Sequence, residues 1–229
     1  MGYQPYTDDL TDGSYAASQH NNRRHKSLGF LKRATDIAIS ASAILFLLPI
    51  LIPIAIAIRF SDGGPALFAQ KRAGLNGQTI KVFKFRTMVV DAQARLDKVL
   101  AADPEARRQW EAMAKLDNDP RITWFGNFLR KSSLDELPQL FNILRGEMSL
   151  VGPRPIPLYE IERYGQYFHD YCSVRPGLTG LWQVSGRSDT DYKRRVALDV
   201  EYVDHWSYAK DIVIIFKTVP AVLNSDGAR

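Results

Sequence analysis

The sequence predicts a mainly α-helical protein of the α+β class, with one small β-hairpin and an N-terminal segment that enters a membrane. Residues 37–58 are apolar and uncharged, over a length that matches the roughly 20 residues needed to span a bilayer. The dipeptide Asn76-Gly77 lies between two short strand-like runs, which is typical of a hairpin turn. Helical patterns recur in the middle of the chain and over its last forty or so residues.

Composition bounds the size of the protein and its partners. The 229 residues suffice for one well-cored domain with an appendage. The net charge of +5 suits nucleic acid, anionic lipid or a phosphorylated substrate. Cys172 is the single cysteine, which excludes an intramolecular disulfide and a cysteine metal framework.

Residues 1–27 are polar, and we expect a mostly disordered tail. In the segment that follows, Pro49 and Pro53 each lack an N–H and crowd the carbonyl four residues before. Basic residues flank the segment on both sides, and basic flanks favour the cytoplasmic face. These features favour a re-entrant helix–break–helix over residues 28–62, with the prolines at the bend. A kinked full span and a buried helix of a soluble protein remain as alternatives.

The middle of the chain carries further local patterns. "ALFAQKR" and "TIKVFKFRTM" flank the Asn76-Gly77 turn as two strands. Helices are predicted over 91–102 and from Asp103, as N-cap, to about residue 116. A short helix is predicted over "WFGNFLRK", followed by another over about 134–144.

The C-terminal third divides into two parts. Residues 146–187 are dense in proline and glycine, yet they contain apolar and aromatic residues, so we expect structured loops. The last forty or so residues return to a helical pattern that includes Trp206 and Tyr208 beside a strongly apolar run. Such a segment suits an amphipathic helix at a membrane interface and a helix of the core equally well.

The stretch "SSLDELPQ" contains two adjacent carboxylates, Asp135 and Glu136. Ser133 to Glu136 spells a capping box, with acids in the first turn of a helix. Pro138 complicates this account, because a helix starting at Ser133 would have a proline in its second turn. The same position suits catalysis: an ionised Asp135 can attack phosphorus. The pair could also hold Mg²⁺ together with substrate phosphates.

Three arginines lie in rigid proline and glycine settings: Arg154 in "GPRP", Arg175 in "RPG" and Arg187 in "SGR". Because arginine binds phosphate in a bidentate manner, three of them after an acidic pair suggest a diphosphate site. Lys84 and Arg86 in "FKFRTM" would extend it. The alternative is that the arginines cap carbonyls or pair with surface acids, and that Lys84 and Arg86 lie on a solvated strand face.

Several long motifs resemble the bacterial sugar transferases, which are monotopic phosphoglycosyl transferases. They are "VFKFRTM", "SLDELPQLFNIL.GEMSLVGPRP" and "RPGLTGLWQVSGR", together with "KRATD" before the apolar segment and "GGPALFAQKRAGLNG" after it. The resemblance covers about residues 31–225. A narrower similarity, to the exopolysaccharide-initiating branch, rests on "RTMVVDAQARLDKVL" and "GLWQVSGRS".

The resemblance implies transfer of a sugar-1-phosphate from a UDP-sugar to polyprenyl (undecaprenyl) phosphate, with release of UMP. It implies that Asp135 is the nucleophile, that Glu136 belongs to the same Mg²⁺-dependent centre and that Arg154 contacts substrate phosphate. Pro49 is then the favoured apex of the re-entrant helix, although Leu48 stands where relatives often have serine. Pro53 is the second candidate.

The resemblance also implies a location and partners. Residues 63–225 would form a catalytic domain with interfacial helices on the cytoplasmic face of the bacterial inner membrane. UDP-sugar, polyprenyl phosphate and membrane lipid are the expected partners, a homodimer is possible, and no nucleic acid is expected.

Two rival hypotheses have weaker support. Asp117-Asn118-Asp119 spells the D-x-D motif of a nucleotide-sugar glycosyltransferase, but no alternating strand–helix run precedes it to build a nucleotide-binding sheet. A membrane-tethered scaffold or basic nucleic-acid binder would lack enzymatic activity, and the sequence contains no recognisable nucleic-acid module.

Overall fold

The computed structural model describes residues 24–113, 116, 118–186 and 191–223. Most of the predicted disordered tail, residues 1–23, and the first Asp of the D-x-D motif, Asp117, lie outside these ranges. The described residues form ten α-helices and two small two-stranded sheets. A mainly helical fold with a hairpin is therefore confirmed.

Helix α1, Arg24–Asp62, is 39 residues long and begins within the predicted tail. Its buried positions are three or four residues apart in two groups, Asp36 and Ser40 and then Leu51, Ile54 and Ile58, and this face packs on the rest of the protein. The opposite face is apolar and exposed, with Phe46 81% exposed. By length and composition, Gly29–Asp62 could cross a membrane.

The predicted break at Pro49 or Pro53 is absent from the helix, which runs through both residues. Both prolines lie on the exposed face, where their rings do not interrupt packing on the domain. The buried face continues past them through Leu51 and Ile54, so contacts on both sides of the prolines support a single helix.

The predicted hairpin is confirmed. Strand β1, Leu67–Ala73, pairs antiparallel with β2, Thr79–Phe85. Asn76 and Gly77 both have positive φ angles, 55° and 73°, as a tight turn between strands requires. The register places Arg72 opposite Ile80 and Lys84 opposite Phe68. Since side chains alternate along a strand, Arg72 and Lys84 share one face of the hairpin.

The next three helices follow the predicted pattern. They are α2, Ala92–Ala102, α3, Pro104–Met113, and α4, Trp124–Lys131. The Asp103 carboxylate accepts hydrogen bonds from the N–H groups of Glu105 and Ala106, which confirms it as the cap of α3.

The segment after the acidic pair contains a parallel strand pair that the sequence analysis did not predict. Helix α5, Gln139–Arg145, leads into β3, Ser149–Val151, which pairs with β4, Gly177–Thr179. The strands approach so closely beyond β3 that a Cβ on Gly177 would lie 2.1 Å from the Gly152 nitrogen. These glycines therefore allow the chain to fold back beside Arg154.

Five short or medium helices follow among the described residues: α6, Ile161–Tyr164; α7, Phe168–Cys172; α8, Leu181–Val184; α9, Tyr192–Asp204; and α10, Tyr208–Leu223. In α10, Ile214 is buried in the main core, whereas Phe216 on another face is 74% exposed. This helix therefore combines a core-packed face with an exposed apolar one.

Candidate active site

The acidic pair lies on an irregular turn rather than in a regular helix. Residues Leu134–Glu136 form one 3₁₀ turn, and α5 begins only after Pro138, which occupies its N-cap position. Ser133 has a left-handed backbone with φ 57° and its side chain makes no capping hydrogen bond, so the predicted capping box is not formed. A proline lacks the N–H that a continuous helix would need, which accounts for the interruption.

Glu136 is held between two cations from distant parts of the chain. Its Oε1 accepts a hydrogen bond from Lys84 Nζ at 2.6 Å and another from Arg154 Nη2 at 2.9 Å. Lys84 lies on β2, and Arg154 lies in the loop after β3. The structure thus brings together four predicted site residues: Lys84, Asp135, Glu136 and Arg154.

The two carboxylates differ in electrostatic environment. Burial raises the pKa of Asp135 above its usual value, with the positive charge of Lys84 opposing this and the negative charge of Glu136 adding to it. Burial also acts to raise the pKa of Glu136, but the charges of Arg154 and Lys84 outweigh it and hold that pKa well below its usual range. The Glu136 carboxylate is therefore ionised and forms ion pairs with two cations.

Asp135 is more weakly held. It is 8% exposed, and its Oδ2 lies 3.8 Å from Lys84 Nζ, beyond hydrogen-bond distance. A carboxylate that is desolvated and only loosely paired is more reactive than one with its oxygens fully hydrogen-bonded. This geometry suits Asp135 as a nucleophile and Glu136 as a fixed anion.

A small cavity adjoins the site. Arg72, Lys84, Glu136 and Arg154 line it with Val82, Gln139, Pro155 and Leu178. Sequence reasoning did not select Arg72 as a site residue. The hairpin register could have identified it, because the Asn76-Gly77 turn places residues 72 and 84 on the same face.

Two predicted phosphate-binding residues lie elsewhere. Arg175 Nε donates to the Gly146 carbonyl at the end of α5, at 2.7 Å, so it satisfies a helix terminus. Arg86 forms an ion pair with Asp62 and donates to the Ile58 carbonyl, which ties the hairpin to the end of α1. The structure therefore does not bring either residue to the acidic pair. Arg187 lies outside the described residues.

A second group of aromatic and charged side chains borders the site. Arg154 lies over the Trp182 ring, with 5.9 Å to the ring centroid, and Arg195 lies over the same ring at 4.7 Å. Arg195 also pairs with Glu160. Sequence analysis did not single out Trp182, Arg195 or Glu160, since nothing in their local sequence indicates that α8 and α9 meet beside Arg154.

The carboxylate chemistry of the acidic pair fits a Mg²⁺ ion whose other ligands would come mainly from a substrate. Mg²⁺ usually binds through one or two carboxylates, phosphate oxygens and water rather than through a complete protein cage. Within the described ranges, no group of three or more His, Cys, Asp or Glu side chains could hold a metal. Asp135 and Glu136 thus supply two candidate ligands, and phosphates would supply others.

Comparison with known proteins identifies the family. The bacterial sugar transferase family model matches residues 27–225. An uncharacterised sugar transferase of Haemophilus influenzae is 53% identical over 91% of this chain. The undecaprenyl-phosphate galactose phosphotransferase of Salmonella typhimurium is 50% identical over 91% of this chain. This chain covers 44% of the length of each of these two relatives.

A shorter relative matches over most of its length. The exopolysaccharide production protein ExoY of Rhizobium meliloti is 48% identical over 200 residues, which are 87% of this chain and 88% of that protein. The matches to the family model and to these relatives cover both helix α1 and the acidic pair. The chain therefore belongs to the bacterial sugar transferase family.

Proposed function

We propose that this protein transfers a sugar-1-phosphate from a UDP-sugar to undecaprenyl phosphate, as the first membrane step of exopolysaccharide synthesis. The observation that carries the proposal is the buried Asp135–Glu136 pair beside Lys84 and Arg154. Glu136 and both cations line one cavity. Relatives named undecaprenyl-phosphate galactose phosphotransferase and undecaprenyl-phosphate glucose phosphotransferase support this substrate class.

In the first step, an Asp135 carboxylate oxygen attacks the phosphorus that carries the sugar. A new P–O bond forms to Asp135, and the bond from that phosphorus to the oxygen bridging the two phosphates breaks, so that UMP leaves. The product is an aspartyl-phosphosugar. Attack requires an ionised Asp135, and the Lys84 charge favours that state against the effect of burial.

In the second step, a phosphate oxygen of undecaprenyl phosphate attacks the same phosphorus. The bond to Asp135 breaks, which restores the carboxylate and yields undecaprenyl-diphosphate-sugar. Throughout both steps, Arg154 and Lys84 offset the phosphate charge, and Glu136 fixes the positions of both cations. Bound Mg²⁺ would neutralise charge on the diphosphate, with Asp135 and Glu136 as its protein ligands.

We also propose that both ends of α1 lie on the cytoplasmic face of the inner membrane. Near its start, Lys32 pairs with Asp211, and Arg33 donates to the Ile143 carbonyl. Near its end, Leu51 and Ile58 pack in a cluster with Phe85 and Leu129. Contacts from both ends to one domain support the proposal that the two ends of α1 lie on the same side of the membrane.

Substitution of the nucleophile tests the reaction. Asp135→Asn should lower UMP release from UDP-galactose or UDP-glucose, in the presence of undecaprenyl phosphate and Mg²⁺, by at least about a thousandfold. Wild-type turnover in Asp135→Asn would rule out the covalent mechanism. The control is Asp117→Asn. This variant should keep wild-type turnover under the proposed mechanism, but it should lose turnover if the D-x-D motif held the metal.

Cysteine labelling tests the topology. In a Cys172→Ala background, Ser27→Cys and Ser61→Cys would place one thiol near each end of α1. Both should react with a membrane-impermeant reagent only from the cytoplasmic side. Labelling of the two cysteines from opposite sides would establish a full span and reject the same-side proposal.

A further inference from the structure

Arg72 is a cation of the site cavity that forms no ion pair with a carboxylate among the described residues. It lies near the end of β1 and lines the cavity with Lys84, Glu136 and Arg154. Lys84 and Arg154 share the Glu136 carboxylate. Among the described residues, no carboxylate forms an ion pair with Arg72, whose side chain donates to the Pro155 carbonyl at 3.3 Å and to Gln70 Oε1 at 2.5 Å.

This arrangement brings two guanidinium groups close together. Burial lowers the pKa of Arg72, and the positive charge of nearby Arg154 lowers it further, whereas the negative charge of Glu160 opposes both effects. The hydrogen-bond partners of Arg72 are neutral, and like charges at a partly desolvated site repel each other. An anion in the cavity would relieve that repulsion, and a phosphate with several oxygens can bridge two arginines.

We infer that Arg72 is a further substrate-binding residue, which contacts a phosphate oxygen in the cavity that it lines with Lys84, Glu136 and Arg154. The inference rests on the proposed function, because both proposed substrates carry phosphate. The ligand oxygen belongs either to the diphosphate of the UDP-sugar or to the phosphate of the lipid acceptor, and kinetics can distinguish the two.

The position of Arg72 is fixed independently of a ligand. The Ala73 N–H donates to the Ile156 carbonyl at 3.0 Å, and Arg72 forms a backbone bridge with Pro157. These contacts join the end of β1 to the segment just after Arg154. The backbone therefore holds the two arginines at one cavity before substrate arrives, which reduces the ordering cost of binding.

The test is the kinetics of Arg72→Gln with Lys71→Gln as the matched control. Lys71 is the adjacent residue of the same strand, carries the same charge and is exposed. Initial rates of UMP release would be measured against UDP-galactose and, separately, against undecaprenyl phosphate. We expect Arg72→Gln to raise the KM of one substrate roughly tenfold or more, the loss expected for one charged hydrogen bond.

Which KM changes identifies the phosphate: a rise for UDP-galactose assigns Arg72 to the donor, and a rise for undecaprenyl phosphate assigns it to the acceptor. Lys71→Gln should leave both constants within twofold. If Arg72→Gln changes neither KM, or lowers only kcat, the binding role is overturned and the Pro155 contact is structural. Wild-type turnover in the same assay tests the proposed function separately.

Arg72→Lys covers the case in which Arg72→Gln melts at a much lower temperature than the wild type. Lysine keeps the charge but loses the planar, bidentate geometry. We expect a KM increase for the same substrate that is smaller than tenfold but exceeds twofold. An unchanged KM in a folded Arg72→Lys protein would also overturn the inference.

Discussion

Two clusters in this protein contain a buried aspartate and a lysine, and they differ in how completely the carboxylate is satisfied. In the α1 anchor (Lys32, Tyr202, Trp206 and Asp211), Asp211 accepts hydrogen bonds from all three other side chains, at 2.6–3.1 Å. In the acidic-pair site (Lys84, Asp135, Glu136 and Arg154), Asp135 lies 3.8 Å from its lysine.

This difference distinguishes a cluster that stabilises the fold from one that has the features of a functional site. The Asp211 carboxylate is fully hydrogen-bonded within the protein, so the α1 anchor has no group available to bind a ligand. It joins the start of α1 to β3, since Lys32 also donates to the Val151 carbonyl. The acidic-pair site keeps one carboxylate desolvated and beyond hydrogen-bond distance of its lysine, as expected where a charged substrate completes the arrangement.

The largest expected contrast is in stability. Asp211→Asn should destabilise the fold by about 3 kcal/mol, because removing one partner leaves Lys32 partly buried without its counter-charge. Asp135→Asn should leave stability at pH 7 unchanged or raise it. The folded-state pKa of Asp135 is raised, so the ionised group opposes folding above its ordinary pKa, whereas asparagine cannot ionise.

Thermal unfolding in detergent or nanodiscs measures this contrast, with UMP release recorded on the same samples. The comparison would fail if Asp135→Asn melted as far below wild type as Asp211→Asn. It would also fail if Asp211→Asn proved as stable as wild type. Either result would mean that the two clusters share one role.

An intermediate effect is expected on pH dependence. Lys84 lowers the pKa of Asp135 by its charge, so Lys84→Met should move that pKa further up. The proposed mechanism requires an ionised Asp135, and activity should therefore be lost as pH falls through this pKa. We expect the acid limb of the kcat/KM profile to shift to higher pH, together with weaker substrate binding.

The control for this profile is Lys81→Met, which removes an exposed lysine from the same strand. Its acid limb should coincide with that of the wild type. An acid limb that stays in place in Lys84→Met would show that the Asp135 carboxylate does not respond to Lys84.

The smallest effect is expected at Arg175, which was a candidate phosphate ligand by sequence. Arg175→Gln should cost about 1 kcal/mol of stability, because it removes a hydrogen bond to the Gly146 carbonyl. The KM of both substrates should stay within twofold. A rise in either KM comparable to that expected for Arg72→Gln would return Arg175 to the binding site and extend that site beyond the described cavity.

Local sequence patterns predicted the elements that depend on local rules. The Asn76-Gly77 turn and the Asp103 cap are set by backbone preferences of single residues, and both are confirmed. The start of α5 was predicted only approximately. Pro138 indicated that the beginning of the helix would be disturbed, but it did not specify a 3₁₀ turn. The parallel pairing of β3 and β4 escaped prediction because it joins residues nearly thirty positions apart.

The sequence by itself determined the family, the acidic pair and the apolar segment, because these are written in contiguous motifs and in composition. Only the tertiary structure decided which cations face that pair. It selected Lys84 and Arg154, added Arg72 through the hairpin register, and placed Arg175 and Arg86 at helix ends. The physical reason is that arginine satisfies a carbonyl as readily as a phosphate, so its role depends on which groups the fold brings within reach.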